Sequence, residues 1–292
     1  MTRMAASETH PGTGGRGEGR KKTPEEIAED GSECRHGITE MIRRLKYSGS
    51  VCISGLTASG KTTHCHLLAG EFGLTYVSGS QIQLNFMGVS PIQTKDFWIT
   101  DKAKSFWSKK EFNRIDAELL RLESIAEGYI FDTSTMPWRH KRPALCIWLE
   151  SSLQSRVIKS IISHRGSRTF SPDEYPQRIA QKDEATISLY KQLYDIDIGS
   201  DLAVFDLIID ISTLITEPTL RASLKSIAIA HSIIQPAVGW YLTKDSEFLR
   251  RFKEVIRQQP HLIMRNRLLG LPQDHCSNKS ERPQPKRGTH NK

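Results

Sequence analysis

The chain has 292 residues, 37% of them hydrophobic, and a formal net charge of +8. This suits one α/β core with appendages, and no run approaches the roughly 18 apolar residues that a membrane span needs. Residues 1–23 set Arg3, Arg16, Arg20, Lys21 and Lys22 against Glu8 and Glu18, and residues 272–292 set Lys279, Arg282, Lys286, Arg287 and Lys292 against Asp274 and Glu281. Each end therefore nets +3, and the small excess left on the body argues against a surface built for a nucleic-acid polymer.

Residues 1–45 read as a disordered or loosely helical extension, rich in Gly, Ser, Thr and charge. A capping box from Thr23 to Glu26 precedes the interruption at Gly31. The body, 46–235, opens on VCISG (51–55), a short β-rich run that reads as a buried strand. A helix follows from Thr62 to Phe72, with Leu67, Leu68 and Phe72 on one side, and then a second strand, LTYVSG (74–79). Residues 94–126 are mostly helical in pattern. YIFDTS (129–134) and ALCIWLE (144–150) are two further buried strands. Helices are expected over 153–164 and 172–193, a last core strand in DLIIDIS (206–212) and a closing helix over 219–234. Short apolar strands alternating with helices predict an α/β fold: a parallel sheet of about five strands, covered on both faces. Residues 236–270 form a helical addition with an amphipathic helix at 246–259, and 271–292 a disordered tail. The cysteines Cys34, Cys52, Cys65, Cys146 and Cys276 lack metal-like spacing, and no apolar leader is visible at the N-terminus, so the expected setting is cytoplasmic.

The segment GLTASGKT (55–62) satisfies G-x-x-x-x-G-K-[ST], the Walker A pattern of a P-loop, between an apolar strand and a helix. Gly55 and Gly60 permit a backbone that turns successive amides around phosphate oxygens. Lys61 supplies a point charge for the β- and γ-phosphates, and the Thr62 hydroxyl is a Mg²⁺ ligand. Thr57, Ala58, Ser59 and Thr63 complete the expected nucleotide-binding set, for ATP or GTP. Asp132 ends a buried strand, where it orients the metal or the acceptor; a turn carboxylate is its plain alternative. Arg156, Arg165 and Arg168 lie on and after the next helix, and HRGSR has the composition of an arginine lid or of a solvated loop. Trp138, just past the third strand, is placed either to stack on an acceptor or to pack in the core.

From about 50 to 230 the chain resembles the cytidylate kinases, especially the short archaeal type. The likeness rests on GLTASGKTT, FGLTYVSGSQI, IDAELLRLESIAEGYIFDTS, IWLESSLQSRV and SLYKQLYDIDIGSDLAVFDLIIDIS. It implies a P-loop nucleotide kinase that transfers the γ-phosphoryl of ATP, with Mg²⁺, to CMP or dCMP, with a helical acceptor insertion near 85–125. It also implies a lid role for Arg156 and nucleotide contact for Lys182. The acceptor half departs from the pattern. Leu84 stands where the family has an arginine, with Gln81 and Gln83 nearby; Asp132-Thr133-Ser134 replaces a glycine–arginine step; Thr186 and Leu189 stand for two charged residues. The nearest replacement cations are Arg139, Lys141 and Arg142. A kinase for an uncharged small acceptor therefore stands beside the monophosphate reading, and a nucleotide-binding switch without transfer beside both.

Overall fold

The computed structural model describes residues 49–88, 108–125, 127–164 and 170–270, which fall within a single compact unit. Strand β1 (Ser50–Ser54) enters the P-loop, and helix α1 (Lys61–Phe72) leaves it. Then come β2 (Thr75–Ser78), α2 (Gly79–Phe86), α3 (Lys109–Ile125), β3 (Tyr129–Asp132) and a short turn of helix, α4 (Met136–Arg139). Strand β4 (Ala144–Glu150), α5 (Leu153–Ser163), α6 (Tyr175–Tyr194) and β5 (Leu207–Asp210) follow. The described chain closes with α7 (Leu220–Thr243), α8 (Ser246–Gln258) and β6 (Ile263–Asn266).

The strands form one sheet in the order β2-β3-β1-β4-β5-β6. The first five run parallel and β6 runs antiparallel to β5. This is the α/β P-loop architecture expected from the sequence, with an added edge strand. Alternation along the strands splits the core in two. Val51, Ile53, Leu145 and Ile147 face α1, α7 and α8; Cys52, Phe131, Cys146 and Trp148 face α3 and α6. Leu67 departs from expectation: it is 38% exposed, and Cys65 and Leu68 carry the buried side of α1 instead.

The boundary expected at 235/236 falls inside α7, which continues through Pro236 to Thr243. Proline removes one helical hydrogen bond, but Ala237, Val238, Tyr241 and Leu242 are all buried in the same core as β1 and β4. Residues 236–270 are thus packed into the body, with Phe252 of α8 fully enclosed. The expected extension and tail lie outside the described residues, as does most of the 85–125 insertion before Ser108. Among the described residues no helix is long and apolar enough to cross a membrane.

Candidate nucleotide site

The P-loop sits at the carboxyl end of β1, where a parallel sheet opens toward ligands. Two backbone features shape it. Gly55 has φ of 155°, and a Cβ there would lie 2.6 Å from Ser59 Oγ and 2.7 Å from the Leu149 carbonyl. Ala58 (φ 62°) and Gly60 (φ 108°) both occupy the left-handed region. Some of the loop's amides are committed within the protein: Thr57 N–H donates to Asp183 Oδ1 at 2.9 Å, and Ser59 N–H to the Leu56 carbonyl at 3.2 Å. The N–H groups of Ala58, Gly60, Lys61, Thr62 and Thr63 have no such partner among the described residues, and the first turn of α1 begins there. These are the donors open to an anion, at the positive end of the helix. Thr57 and Ser59, expected among the nucleotide binders, line the cleft but have already given their N–H groups to the fold.

Lys61 Nζ bonds the carbonyls of Gly55 (2.8 Å) and Leu56 (2.9 Å). Burial lowers its pKa, against the pull of Asp132 and Asp183. Asp132 ends β3, registered beside Ile53 of β1 and Ser78 of β2. Its Oδ2 accepts from Thr62 Oγ1 at 2.6 Å and from the Tyr76 hydroxyl at 3.1 Å. Tyr76 is kept protonated by burial and by that carboxylate. The Thr62 hydroxyl and the Asp132 carboxylate form a hard-oxygen pair beside Lys61, a donor set that fits Mg²⁺. These two residues would hold the ion, and Mg²⁺ there would neutralise charge on the phosphates.

A cleft of about 660 Å³ surrounds the loop. It is lined by His64, Ile211, Ile215 and Ile227 from α1, the segment after β5 and α7, and by Gln81, Gln83, Thr133, Ser134, Lys182 and Thr186 from α2, the segment after β3 and α6. Gln83 is only 6% exposed, and its Nε2 has no hydrogen-bond partner among the described residues. Gln81 and Lys182, expected at the substrate site, both line this cleft. Burial, with Lys61 nearby, lowers the Lys182 pKa to about 8.

Arg156, Trp138 and Arg139 sit elsewhere than expected. Arg156 does not line the cleft. It is buried, donating from Nε to the Ser151 carbonyl and from a terminal nitrogen to the Thr57 carbonyl, both at 3.0 Å, and it pairs with Asp183. Its contacts are with the backbone of the loop, the Ser151 carbonyl and Asp183. Trp138 packs edge-on against Phe205, centroids 5.1 Å apart, and donates to Asp201, so it does not face the acceptor side. Arg139 is bound to Asp116 at 3.2 Å and lies over the Tyr194 ring; Arg142 is bound to Glu127 and the Glu123 carbonyl. Arg165 and Arg168 lie outside the described residues.

Sequence reasoning missed Lys159. It lies one turn beyond Arg156 on α5, lines the cleft, and donates to the Ser59 carbonyl (3.2 Å) and Ser151 Oγ (3.0 Å). Burial, Arg156 and Lys61 together lower its pKa to about 8. The spacing of three from an arginine already assigned a function was the available signal. His64, whose spacing from His66 does not suit a metal site, also lines the cleft. It is buried beside His231, which in turn meets Glu71, and burial holds it neutral with a pKa near 3.

No family model matches the chain. The cytidylate kinase of Pyrococcus abyssi is 28% identical over 163 residues, spanning 56% of this chain and 84% of that protein. The cytidylate kinase of Pyrobaculum aerophilum is 26% identical over 178 residues, 60% of this chain and 90% of its own length. Among solved structures, shikimate kinase from Acinetobacter baumannii in complex with shikimate aligns at 13% identity and TM-score 0.37, covering 65% of this chain and 97% of that one. Deoxyadenosine kinase from M. mycoides with bound dATP aligns at 14% identity and TM-score 0.33, covering 62% and 97%. The likeness to the curated enzymes supports the class to which the loop's chemistry already points, a P-loop kinase of small molecules.

Proposed function

We propose that the protein transfers the γ-phosphoryl group of ATP, with Mg²⁺, to a small-molecule acceptor bound at the Gln81–Thr186 side of the cleft. The observation that carries this reading is the set of unpartnered amides at Ala58 and Gly60–Thr63, backed by Lys61 and by the Thr62–Asp132 oxygen pair. These groups stabilise phosphoryl transfer by position and charge. In the reaction an acceptor oxygen bonds the γ-phosphorus as the bond to the β,γ-bridging oxygen breaks, and ADP leaves. Lys61 and the loop amides take up the charge on the phosphates. An acceptor that is a hydroxyl gives its proton to Asp132.

For the acceptor, the likeness to cytidylate kinases favours CMP or dCMP. A second reading, an uncharged hydroxyl acceptor, is favoured by the lining of that side. Besides Asp132, Lys182 and the paired Asp183 the lining there is neutral, polar at Gln81, Gln83, Thr133, Ser134 and Thr186 and apolar at Leu84, Phe112, Ile115 and Leu119, and the replacement cations Arg139 and Arg142 are tied up elsewhere. A monophosphate carries nearly two negative charges, and each lost charged hydrogen bond costs about 1.5–3 kcal/mol. ADP release coupled to NADH oxidation, over a panel containing CMP, dCMP, cytidine and simple sugars, separates the two. Turnover of CMP but not cytidine supports the first, and the reverse supports the second. A protein that binds MgATP and turns over no acceptor would be a nucleotide-binding switch.

A further inference from the structure

The pair Arg156–Asp183 is buried, 5% and 7% exposed, and it reaches both peptide planes that flank the Thr57 Cα. Asp183 Oδ1 accepts from Thr57 N–H, while Arg156 donates to the Thr57 carbonyl at 3.0 Å. Their remaining atoms close the arrangement: the guanidinium pairs with Asp183 Oδ2, and its Nε is anchored on the Ser151 carbonyl just past β4. A planar trans peptide points its C=O and the following N–H in opposite directions. Pinning the Thr57 carbonyl on Arg156 therefore aims the Ala58 N–H away from Arg156, and Ala58 lines the cleft while Arg156 does not. Ala58 itself holds φ of 62°, a region that non-glycine residues enter when their surroundings fix them there.

We propose that Arg156 and Asp183 are positioning residues, a buried ionic clip that sets the Thr57 peptides so that the Ala58 amide faces the polyphosphate. The proposal rests on the nucleotide-binding reading of the cleft. It gives Asp183, an acidic group 126 residues from Thr57 in sequence, a place beside an anion site where a lone carboxylate would repel the ligand. Arg156 cancels that charge and leaves the acceptor function of the carboxylate intact. An ion pair is suited to this work because it holds a donor and an acceptor in one rigid unit, with the planar guanidinium fork serving two carbonyls at once. Lysine offers one nitrogen where the guanidinium spreads its donors over Nε and a terminal nitrogen, so it cannot meet the Ser151 and Thr57 carbonyls in the same geometry. Asparagine can accept from Thr57 but cannot pair with the guanidinium.

The test compares MgATP, MgADP and AMP on the full-length protein, wild type against Arg156→Lys and Asp183→Asn, with affinities from ligand-observed NMR and thermal melting as the folding control. The clip acts on the loop that holds the β- and γ-phosphates. MgATP and MgADP affinities should therefore fall at least tenfold in both variants while AMP affinity stays within twofold. Folded variants that hold MgATP within twofold of wild type would overturn the clip, as would a parallel loss of AMP, which marks a general distortion. If one variant does not fold, the other decides. A wild-type protein that binds no triphosphate fails in a different way, since it removes the nucleotide site itself.

Discussion

Raising the pH should discharge the cleft before it harms the fold. Lys159 and Lys182 both have pKa values lowered to about 8, chiefly by burial, from an ordinary 10.5. A group with a pKa near 8 keeps about one-tenth of its protons at pH 9. If the ammonium form attracts the polyphosphate, MgATP affinity falls about tenfold between pH 7 and 9 for one engaged lysine and about a hundredfold for two. Stability moves the other way. With folded pKa values below the unfolded one, the unfolded chain binds more protons between about pH 8 and 10.5, so the ligand-free fold gains stability through that window. After allowance for solvent screening the gain is about 1–2 kcal/mol per lysine by pH 9.5. Isothermal titration in two buffers of different ionisation enthalpy reads both affinity and proton uptake, and thermal melts of the ligand-free protein read stability. The expected result is proton uptake on MgATP binding at pH 8.5, with affinity falling as the melting temperature holds or rises. Flat affinity from pH 7 to 9.5, with no proton uptake, would refute the reasoning.

Three further outcomes are expected. Lys61→Met should leave the melting temperature within a few degrees and lower the rate of ADP release at least a hundredfold, because the group removed acts on charge in the transition state. In Gly239→Ala the new Cβ would lie 2.5 Å from the Phe248 ring, where α7 meets α8; overpacking costs about 1–3 kcal/mol, read as a lower midpoint in urea with normal activity per folded molecule. Gln83→Leu removes a buried donor that has no protein partner among the described residues. It should raise the KM of the acceptor at least tenfold and leave that of MgATP unchanged; an unchanged acceptor KM would remove Gln83 from the acceptor site.

The parts of the site that could be read in the sequence are those whose geometry is local. The P-loop is eight consecutive residues between a strand and a helix, and its glycines, lysine and threonine carry their roles in their spacing. Asp132 was legible for a related reason, since the end of a buried parallel strand is a fixed address in this architecture. Arg156 was not. Its number placed it on the right helix, but whether that face turns toward the cleft or beneath the loop depends on how α5 leans on β4. That packing sends the guanidinium to Ser151 and Thr57 and leaves Lys159 facing the cleft. Of the two readings of Trp138 the structure takes the packing one, against Phe205 and Asp201, and Arg139 is held by Asp116 and Tyr194. In the fold, the closing helix, expected to stop at Ile234, continues to Thr243, and the buried residues beyond Pro236 explain why. The four residues of β6, Ile263, Met264, Arg265 and Asn266, are too few and too mixed to show a strand pattern. They are a strand because β5 offers an edge, and Arg265 and Arg267 reach the carbonyls of Leu202 and Ala203.

The charges around the loop share one logic. Lys61, Lys159, Lys182 and Arg156 are set against Asp132 and Asp183, so the ligand-free protein holds an excess of buried positive charge at one point of an otherwise nearly balanced body. The lowered lysine pKa values are the thermodynamic trace of that strain, because each ammonium is disfavoured by burial and, in part, by its neighbours. A polyanion relieves it. On the proposed nucleotide-binding reading, the free energy that destabilises the empty site is recovered when a polyphosphate binds. The clip at Thr57 belongs to this arrangement, since Asp183 supplies part of the counter-charge that keeps the empty site folded while directing the loop's amide toward the ligand that replaces it.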